Sequence, residues 1–184
     1  MRLAVLASGE GTNLQAMLDA GLAVAVVVCN RPGAGCIARA DAAGVHVEVA
    51  PHKGWASREA YDAHLVERLG RYDVDTVALA GFMRILTPTF LKAFPGRVLN
   101  IHPSLLPAFP GLHAIRQALD HGVKVTGVTV HRVDEGVDTG PILAQEAVAV
   151  VDGDDEDSLA ERIHAVEHRL YPRVLGRLAT DEKL

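Results

Sequence analysis

The sequence predicts an α/β fold with a doubly wound, mostly parallel sheet and an antiparallel pair of strands toward the carboxyl terminus. Two observations favour this class. Short apolar runs alternate with helical patterns over residues 2–101, as is typical of buried parallel strands joined by crossover helices. Two segments of alternating polarity then follow, separated by one polar loop, which is typical of an antiparallel pair.

The predicted strands differ in how deeply they should be buried. The first, second and fourth runs are continuously apolar and should be covered on both faces. The third alternates and should lie nearer an edge of the sheet. The predicted strands are residues 2–7, 22–29, 45–49, 76–80, 97–101, 124–133 and 142–151.

The predicted helices lie between these strands and after the last one. Ser57 is placed to cap the third helix. The last helix has an apolar stripe, and acidic residues 154–157 precede its amino terminus, where they favour the helix dipole. The predicted helices are residues 14–18, 36–43, 57–71, 87–93, 114–121 and 158–178.

Length and composition limit the classes of function. The chain has 184 residues, with 49% apolar and 22% charged residues, which suits a single globular domain over residues 1–184. A net charge of −5 argues against sequence-independent binding of nucleic acid. The two cysteines, Cys29 and Cys36, are too few for a zinc site and do not form a CxxC motif. No signal segment or membrane span is apparent, so the expected location is the cytoplasm.

Asn100 and His102 are the first candidate catalytic residues. They lie two residues apart at the end of a predicted strand, so their side chains point to the same side of the chain. Pro103 and Pro107 stiffen the following backbone, which catalysis requires and packing does not. Asn100 can donate to a developing oxyanion, and His102 can pass protons near neutral pH. The alternative is a structural histidine.

Asp138 is the candidate partner of His102. It lies in the polar loop of residues 134–141. If that loop folds over the strand ends, a carboxylate beside His102 stabilises the charged imidazole. Asp134 and Glu135 share the loop and compete for this role, and a simple turn aspartate is the alternative.

The turn Gly9–Asn13 is a candidate anion site, since a strand, a glycine-rich turn and a helix follow one another there. Leu14 stands where a dinucleotide fingerprint has its third glycine, and Asn30-Arg31 replaces the acidic residue expected after the second strand. A nicotinamide cofactor is therefore disfavoured. A single phosphate bound by Gly11, Thr12 and Asn13 is favoured, with a tight turn as an equally weighted alternative.

Four motifs carry a resemblance to a known family. The sequence resembles the phosphoribosylglycinamide formyltransferases, folate-dependent formyltransferases of purine biosynthesis with a Rossmann-like fold. The motifs occur in the family's order and span nearly the whole chain. They are Ser8–Asn13, Leu79–Leu86, Asn100–Pro107 and Asp138–Ile142.

The resemblance implies a role for each matched residue. It implies a catalytic trio of Asn100, His102 and Asp138. It assigns the ribonucleotide to Gly11, Thr12, Asn13 and Glu167, although a glutamate on a helix surface is usually only solvated. It assigns 10-formyltetrahydrofolate to Arg58, Met83, Arg84, Ile85, Leu86 and Asn100. Residues 1–100 then form the ribonucleotide-binding half, and residues 101–184 form the folate-binding half with the catalytic loop. Ile115 stands where some members carry a histidine, so no role is assigned to it.

The implied reaction moves a formyl group from 10-formyltetrahydrofolate to the amine of glycinamide ribonucleotide, through a tetrahedral intermediate. Its partners are small molecules. No metal, nicotinamide cofactor, nucleic acid or membrane is implied, and the protein is expected to be a monomer or a homodimer. His113, His121 and His131 are scattered along the sequence and are interpreted as structural or exposed.

Other functions remain open at this point. A formyltetrahydrofolate hydrolase is expected to add a regulatory domain, and a tRNA formyltransferase a basic surface and a further domain. A sugar-nucleotide formyltransferase is a third relative. A non-catalytic nucleotide- or folate-binding module is the alternative from a different class, although simple binding has no use for a proton donor beside an oxyanion site.

Overall fold

The computed structural model describes residues 1–180 and has the predicted α/β fold. Its strands form a seven-stranded sheet in the order β3-β2-β1-β4-β5-β6-β7. The strands are β1 (Leu3–Ala7), β2 (Val24–Cys29), β3 (Val47–Val49), β4 (Thr76–Ala80), β5 (Val98–His102), β6 (Val125–Arg132) and β7 (Ile142–Ala149). The helices are α1 (Thr12–Asp19), α2 (Gly35–Ala42), α3 (Arg58–Gly70), α4 (Pro88–Ala93), α5 (Ala114–Asp120) and α6 (Glu156–Ala179).

The chain divides into two compact units, Met1–Asn100 and Ile101–Leu184. In the first unit, β1 pairs in parallel with both β2 and β4, and β4 pairs in parallel with β5. The residues of β1 and β4 are all buried. Their continuous apolar runs therefore reflect a sheet that is covered on both faces.

The order of strands reverses beside β1 in the first unit. The chain leaves β1 for β2 on one side, and β4 takes the place on the other side. Ligands of doubly wound sheets bind at such a switch point, outside the carboxyl ends of the strands. The turn after β1 and the segment after β4 both start there, and the Met83 N–H donates to Oγ of Ser8 over 3.0 Å.

The second unit is built on the antiparallel pair of β6 and β7. The helix α6 packs on both strands and buries its apolar stripe, including Leu159, Ile163 and Leu170. It begins two residues before the predicted start, because Asp155 is the N-cap and forms a capping box with Ser158.

Local signals in the sequence explain several other boundaries. Oγ of Ser57 accepts a hydrogen bond from the Ala60 N–H over 3.0 Å, so the predicted cap of α3 is confirmed. Strand β5 extends one residue beyond the prediction and includes His102. No helix within residues 1–180 is long and apolar enough to span a membrane.

Candidate active site

Asn100 and His102 both lie on β5, with Ile101 between them. Alternation along a strand places the two polar side chains on the same face. His102 is 5% exposed, whereas Asn100 is half-buried. Leu79 of β4 lies opposite Asn100 in the parallel register.

Both ring nitrogens of His102 meet oxygen atoms of the second unit. Nε2 lies 2.8 Å from the carbonyl oxygen of Phe109. A carbonyl oxygen only accepts, so Nε2 carries a proton. Nδ1 lies 3.3 Å from Oδ2 of Asp138. One ring nitrogen therefore faces a backbone carbonyl, and the other faces a carboxylate.

Asp138 is held by more than His102. It has a positive φ of 56°, and Oδ2 also accepts the Gly111 N–H over 2.8 Å. Burial raises the pKa of Asp138, but hydrogen bonds from His131 and Gly111 and the charges of His102 and His131 outweigh it, so the pKa lies below its ordinary value. The carboxylate of Asp138 is therefore ionised at neutral pH and faces the imidazole of His102.

The competing carboxylates of the same loop are placed differently. Asp134 is exposed, and its Oδ1 accepts the hydroxyl of Thr139 over 2.8 Å and the Gly136 N–H over 3.1 Å. Glu135 is also exposed. Of the three acidic residues, Asp138 is the one that forms an ion pair with His102.

His131 is a residue of this cluster that the sequence did not single out. It lies on β6, is 2% exposed, and places Nε2 3.6 Å from Oδ1 of Asp138. The sequence holds a weaker signal for it. Thr129 and His131 are polar residues two apart, like Asn100 and His102, but β6 also carries Thr126 and Arg132.

The loop of residues 103–111 is fixed by buried polar groups. The hydroxyl of Thr129 donates to the Ser104 carbonyl over 2.7 Å and accepts the Leu106 N–H over 3.1 Å. Nε2 of Gln145 donates to the Leu106 carbonyl and to Thr129, each over 2.9 Å. This loop supplies the Phe109 carbonyl and the Gly111 N–H, so these contacts hold the partners of His102 and Asp138 in place.

The predicted phosphate turn lies in the first unit, between β1 and α1. Gly11 is the N-cap of α1 and has a φ of 74°. A Cβ atom there would lie 2.6 Å from Cβ of Cys36, so a residue other than glycine would clash with α2. No side chain caps α1, and the backbone N–H groups of a helix's first turn point out of its amino-terminal end. This is the geometry of an anion site.

The predicted folate segment, Met83–Leu86, also lies in the first unit. Met83 is 60% and Ile85 53% exposed, although both are apolar. The guanidinium of Arg58 donates to the Ile85 carbonyl over 2.7 Å, and that of Arg84 lies 4.5 Å from the ring centroid of Tyr61. Arg58 therefore holds the backbone at Ile85, and Arg84 stacks on Tyr61, beside two apolar side chains that face solvent.

Glu167 differs from a solvated surface glutamate, because it is 6% exposed on α6. Its position follows the apolar stripe, four residues after Ile163 and three before Leu170. The side chain of Glu167 is therefore not a solvated surface group. Among residues 1–180, no group of three or more histidine, cysteine, aspartate or glutamate side chains could hold a metal ion.

Together, the fold and these side chains define a class: an α/β protein with a glycine turn at a helix amino terminus, and an imidazole held by a carboxylate at a strand end. A family model described as "Formyl transferase" matches residues 1–175. The chain belongs to this formyl transferase family.

Individual relatives are named more narrowly. The phosphoribosylglycinamide formyltransferase of Bacillus subtilis is 42% identical over 96% of this chain and 94% of its own length. The glycinamide ribonucleotide transformylase 1 of Symbiobacterium toebii has a crystal structure with a TM-score of 0.96 and 52% identity, over 98% of this chain and 88% of that one. The trifunctional purine biosynthetic protein adenosine-3 of Drosophila melanogaster is 50% identical over 100% of this chain, which spans only 14% of the insect protein.

Proposed function

We propose that the chain transfers the formyl group of 10-formyltetrahydrofolate to the amine of glycinamide ribonucleotide, which yields formylglycinamide ribonucleotide and tetrahydrofolate. The relatives named for this activity support the choice of substrate. The observation that carries the chemistry is the 3.3 Å contact between Nδ1 of His102 and Oδ2 of Asp138.

The proposed reaction starts when the neutral amine of the ribonucleotide attacks the formyl carbon. A C–N bond forms, and the carbonyl electron pair moves onto oxygen to give a tetrahedral oxyanion. The oxyanion then collapses, the bond to N10 of the folate breaks, and the proton lost by the amine ends on N10. Atoms and charge balance without a metal, a redox step or a covalent enzyme intermediate.

Asn100 and His102 stabilise the oxyanion in this mechanism. Nε2 of His102 already donates to the Phe109 carbonyl, so Nδ1 is the nitrogen left to meet the substrate. A charged N–H···O bond is usually about 2.8 Å long. The Nδ1–Oδ2 distance of 3.3 Å therefore leaves the Nδ1 proton open to sharing with an oxyanion. Asp138 stabilises the positive charge of His102.

The two substrates are assigned to groups that suit them. The N–H groups of Gly11, Thr12 and Asn13 bind the ribonucleotide phosphate, and Glu167 binds the ribonucleotide elsewhere. The backbone of Met83–Leu86, held by Arg58, contacts the folate ring, and Asn100 contacts the formyl group. The exposed Met83 and Ile85 side chains supply apolar surface for that ring.

One assay separates the candidate functions. The protein is incubated with 10-formyltetrahydrofolate, with and without glycinamide ribonucleotide, and release of tetrahydrofolate is followed. Release only with the ribonucleotide supports the transferase. Release without it supports a hydrolase, and no release in either sample supports a binding module.

The proposed function also implies a cellular setting and an oligomeric state. De novo purine synthesis in the cytoplasm is the expected setting, with small molecules as the only partners. A monomer or a homodimer is expected, and sedimentation at enzyme-assay concentrations distinguishes them.

A further inference from the structure

Asp138 of the proposed active site has two imidazoles beside it. Oδ2 faces Nδ1 of His102 at 3.3 Å, and Oδ1 faces Nε2 of His131 at 3.6 Å. All three side chains are largely buried, with 6%, 13% and 2% of the side chains of His102, Asp138 and His131 exposed. One carboxylate thus bridges β5 and β6 within the second unit.

The second imidazole is oriented in the same way as the first. Nδ1 of His131 lies 2.9 Å from the carbonyl oxygen of Arg132, as Nε2 of His102 does from that of Phe109. Each carbonyl oxygen accepts a hydrogen bond from the nitrogen beside it. The other nitrogen of each ring therefore faces the carboxylate.

We propose that His131 is a positioning residue, whose imidazolium holds Oδ1 of Asp138 and so keeps the carboxylate ionised with Oδ2 turned toward His102. It acts through Asp138 and touches neither substrate. The expected change in kcat rests on the proposed function, whereas the expected effect of His131 on Asp138 and His102 does not.

The other groups around Asp138 do not hold its Oδ1 atom in place of His131. The Gly111 N–H donates to Oδ2 of Asp138, whereas Oδ1 faces Nε2 of His131. Asp134 accepts hydrogen bonds from the Thr139 hydroxyl and the Gly136 N–H.

The elements that pack on β6 carry charges of their own. Glu146 of β7 pairs with Arg169 and Arg173 of α6. Arg162 of α6 pairs with Asp154, which precedes the helix. Glu167 is the buried carboxylate of α6. An effect of Glu167 must therefore be distinguished from an effect of Asp138 by a separate variant.

The sign of the pH effect follows from the forces on Asp138. Burial raises the pKa of Asp138, while the hydrogen bond from His131 is the first of the interactions that lower it. Removal of His131 therefore raises the pKa of Asp138. The carboxylate then protonates at a higher pH, and the acidic limb of the kcat profile moves to higher pH.

Two variants separate the effect of the N–H donor of His131 from the effect of its positive charge. His131→Phe removes both, and His131→Gln keeps a neutral N–H donor at the reach of Nε2. We expect kcat to fall by about 10-fold to 100-fold in His131→Phe, as for loss of a hydrogen bond to a charged group. His131→Gln should fall less, with little change in KM for either substrate in both variants. His46→Gln is the matched control, because His46 is an exposed histidine that also contacts a carboxylate, Glu48.

A second readout does not depend on formyl transfer. The ring nitrogens of His102 are followed by ¹⁵N NMR in ¹⁵N-histidine-labelled protein while pH is varied, in wild type, His131→Gln and Glu167→Gln. The proposal expects the titration of His102 to change in His131→Gln and to stay near wild type in Glu167→Gln. If His131→Phe does not fold, the kinetic and the NMR measurements are both made on His131→Gln.

The outcomes separate this proposal from the proposed function. An unchanged His102 titration together with an unchanged acidic limb in His131→Gln overturns the positioning role. A changed His102 titration in a protein that transfers no formyl group supports the positioning role and counts against the proposed function alone.

Discussion

Oδ2 of Asp138 lies 3.3 Å from Nδ1 of His102, while Nε2 of the same ring is anchored at 2.8 Å on the Phe109 carbonyl. Nε2 is thus hydrogen-bonded to the backbone, and Nδ1 faces the carboxylate at a longer distance. This is the arrangement expected of a proton-bearing group that must share its proton with a reaction intermediate.

Substitution of the pair on β5 should abolish most of the activity without unfolding the chain. We expect Asn100→Ala to lower kcat by about 100-fold to 1,000-fold, as for loss of an oxyanion donor. His102→Ala should lower it by about 100-fold to 10,000-fold. Steady-state kinetics and circular dichroism check both. Full activity in either folded variant would refute the assignment.

Asp138→Asn should lower turnover and flatten the pH dependence of the free energy of unfolding. The pKa of Asp138 is below its ordinary value, so its contribution to stability is complete above the ordinary carboxyl pKa and is lost as pH falls through the lowered value. The free energy of unfolding of Asp138→Asn should therefore change less with pH in acid than that of wild type. Urea titrations across the acidic range test this, with Asp134→Asn as the control, and an equal slope in wild type and Asp138→Asn contradicts it.

Gly11→Ala should damage the phosphate turn. A Cβ atom at Gly11 would clash with Cys36, and the φ of 74° strains any other residue. Strain of this kind costs about 1–3 kcal/mol, and KM for glycinamide ribonucleotide should rise more than KM for the folate. Gly9→Ala is the control for stability, since nothing lies within 4 Å of its Cβ position and its φ is not in the left-handed region. Equal unfolding free energies in the two variants would be inconsistent with this account.

Arg58→Lys should weaken folate binding with little effect on kcat. The Arg58 guanidinium holds the Ile85 carbonyl, and an ammonium group on a flexible stem does not reproduce a planar fork. We expect KM for 10-formyltetrahydrofolate to rise by about 10-fold, equivalent to loss of one charged hydrogen bond. Arg71→Lys, which alters an exposed arginine paired with Glu67, is the control. An unchanged KM would mean that Arg58 does not hold the segment.

Thr129→Val tests the polar groups that fix the loop of residues 103–111. The variant removes one donor and two accepted hydrogen bonds in a fully buried position. The stability loss should be about 1–3 kcal/mol, with a lower kcat. Thr126→Val is a matched control on the same strand, because the buried hydroxyl of Thr126 has no described partner. It should be neutral or slightly stabilising, and equal losses in the two variants would argue against a role for the network.

The sequence predicted the strands and helices well, because apolar runs and caps such as Ser57 are local signals. It also singled out Asn100 and His102 from two polar residues in an apolar strand. Thr129 and His131 have the same spacing, but Thr126 and Arg132 lie on the same strand, so the pattern does not single them out. Their contacts depend on how the polar loop before β7 folds back toward β5, and loop geometry of this kind has no local signature.

The burial of Glu167 is a second feature that was not predicted from the sequence. Its spacing placed it on the apolar stripe of α6, but a general expectation for glutamate pointed to solvent. Asp138 could not be separated from Asp134 and Glu135 by sequence, because the choice among them is decided by a positive φ and by the Gly111 N–H.

The fate of the formyl carbon tests the central claim most directly. The protein is given 10-formyltetrahydrofolate labelled with ¹³C in the formyl group, together with glycinamide ribonucleotide, and the products are followed by ¹³C NMR. The proposed function predicts that the label appears as the formamide carbon of the ribonucleotide, in step with release of tetrahydrofolate. Label recovered as formate, or left on the folate, would contradict it.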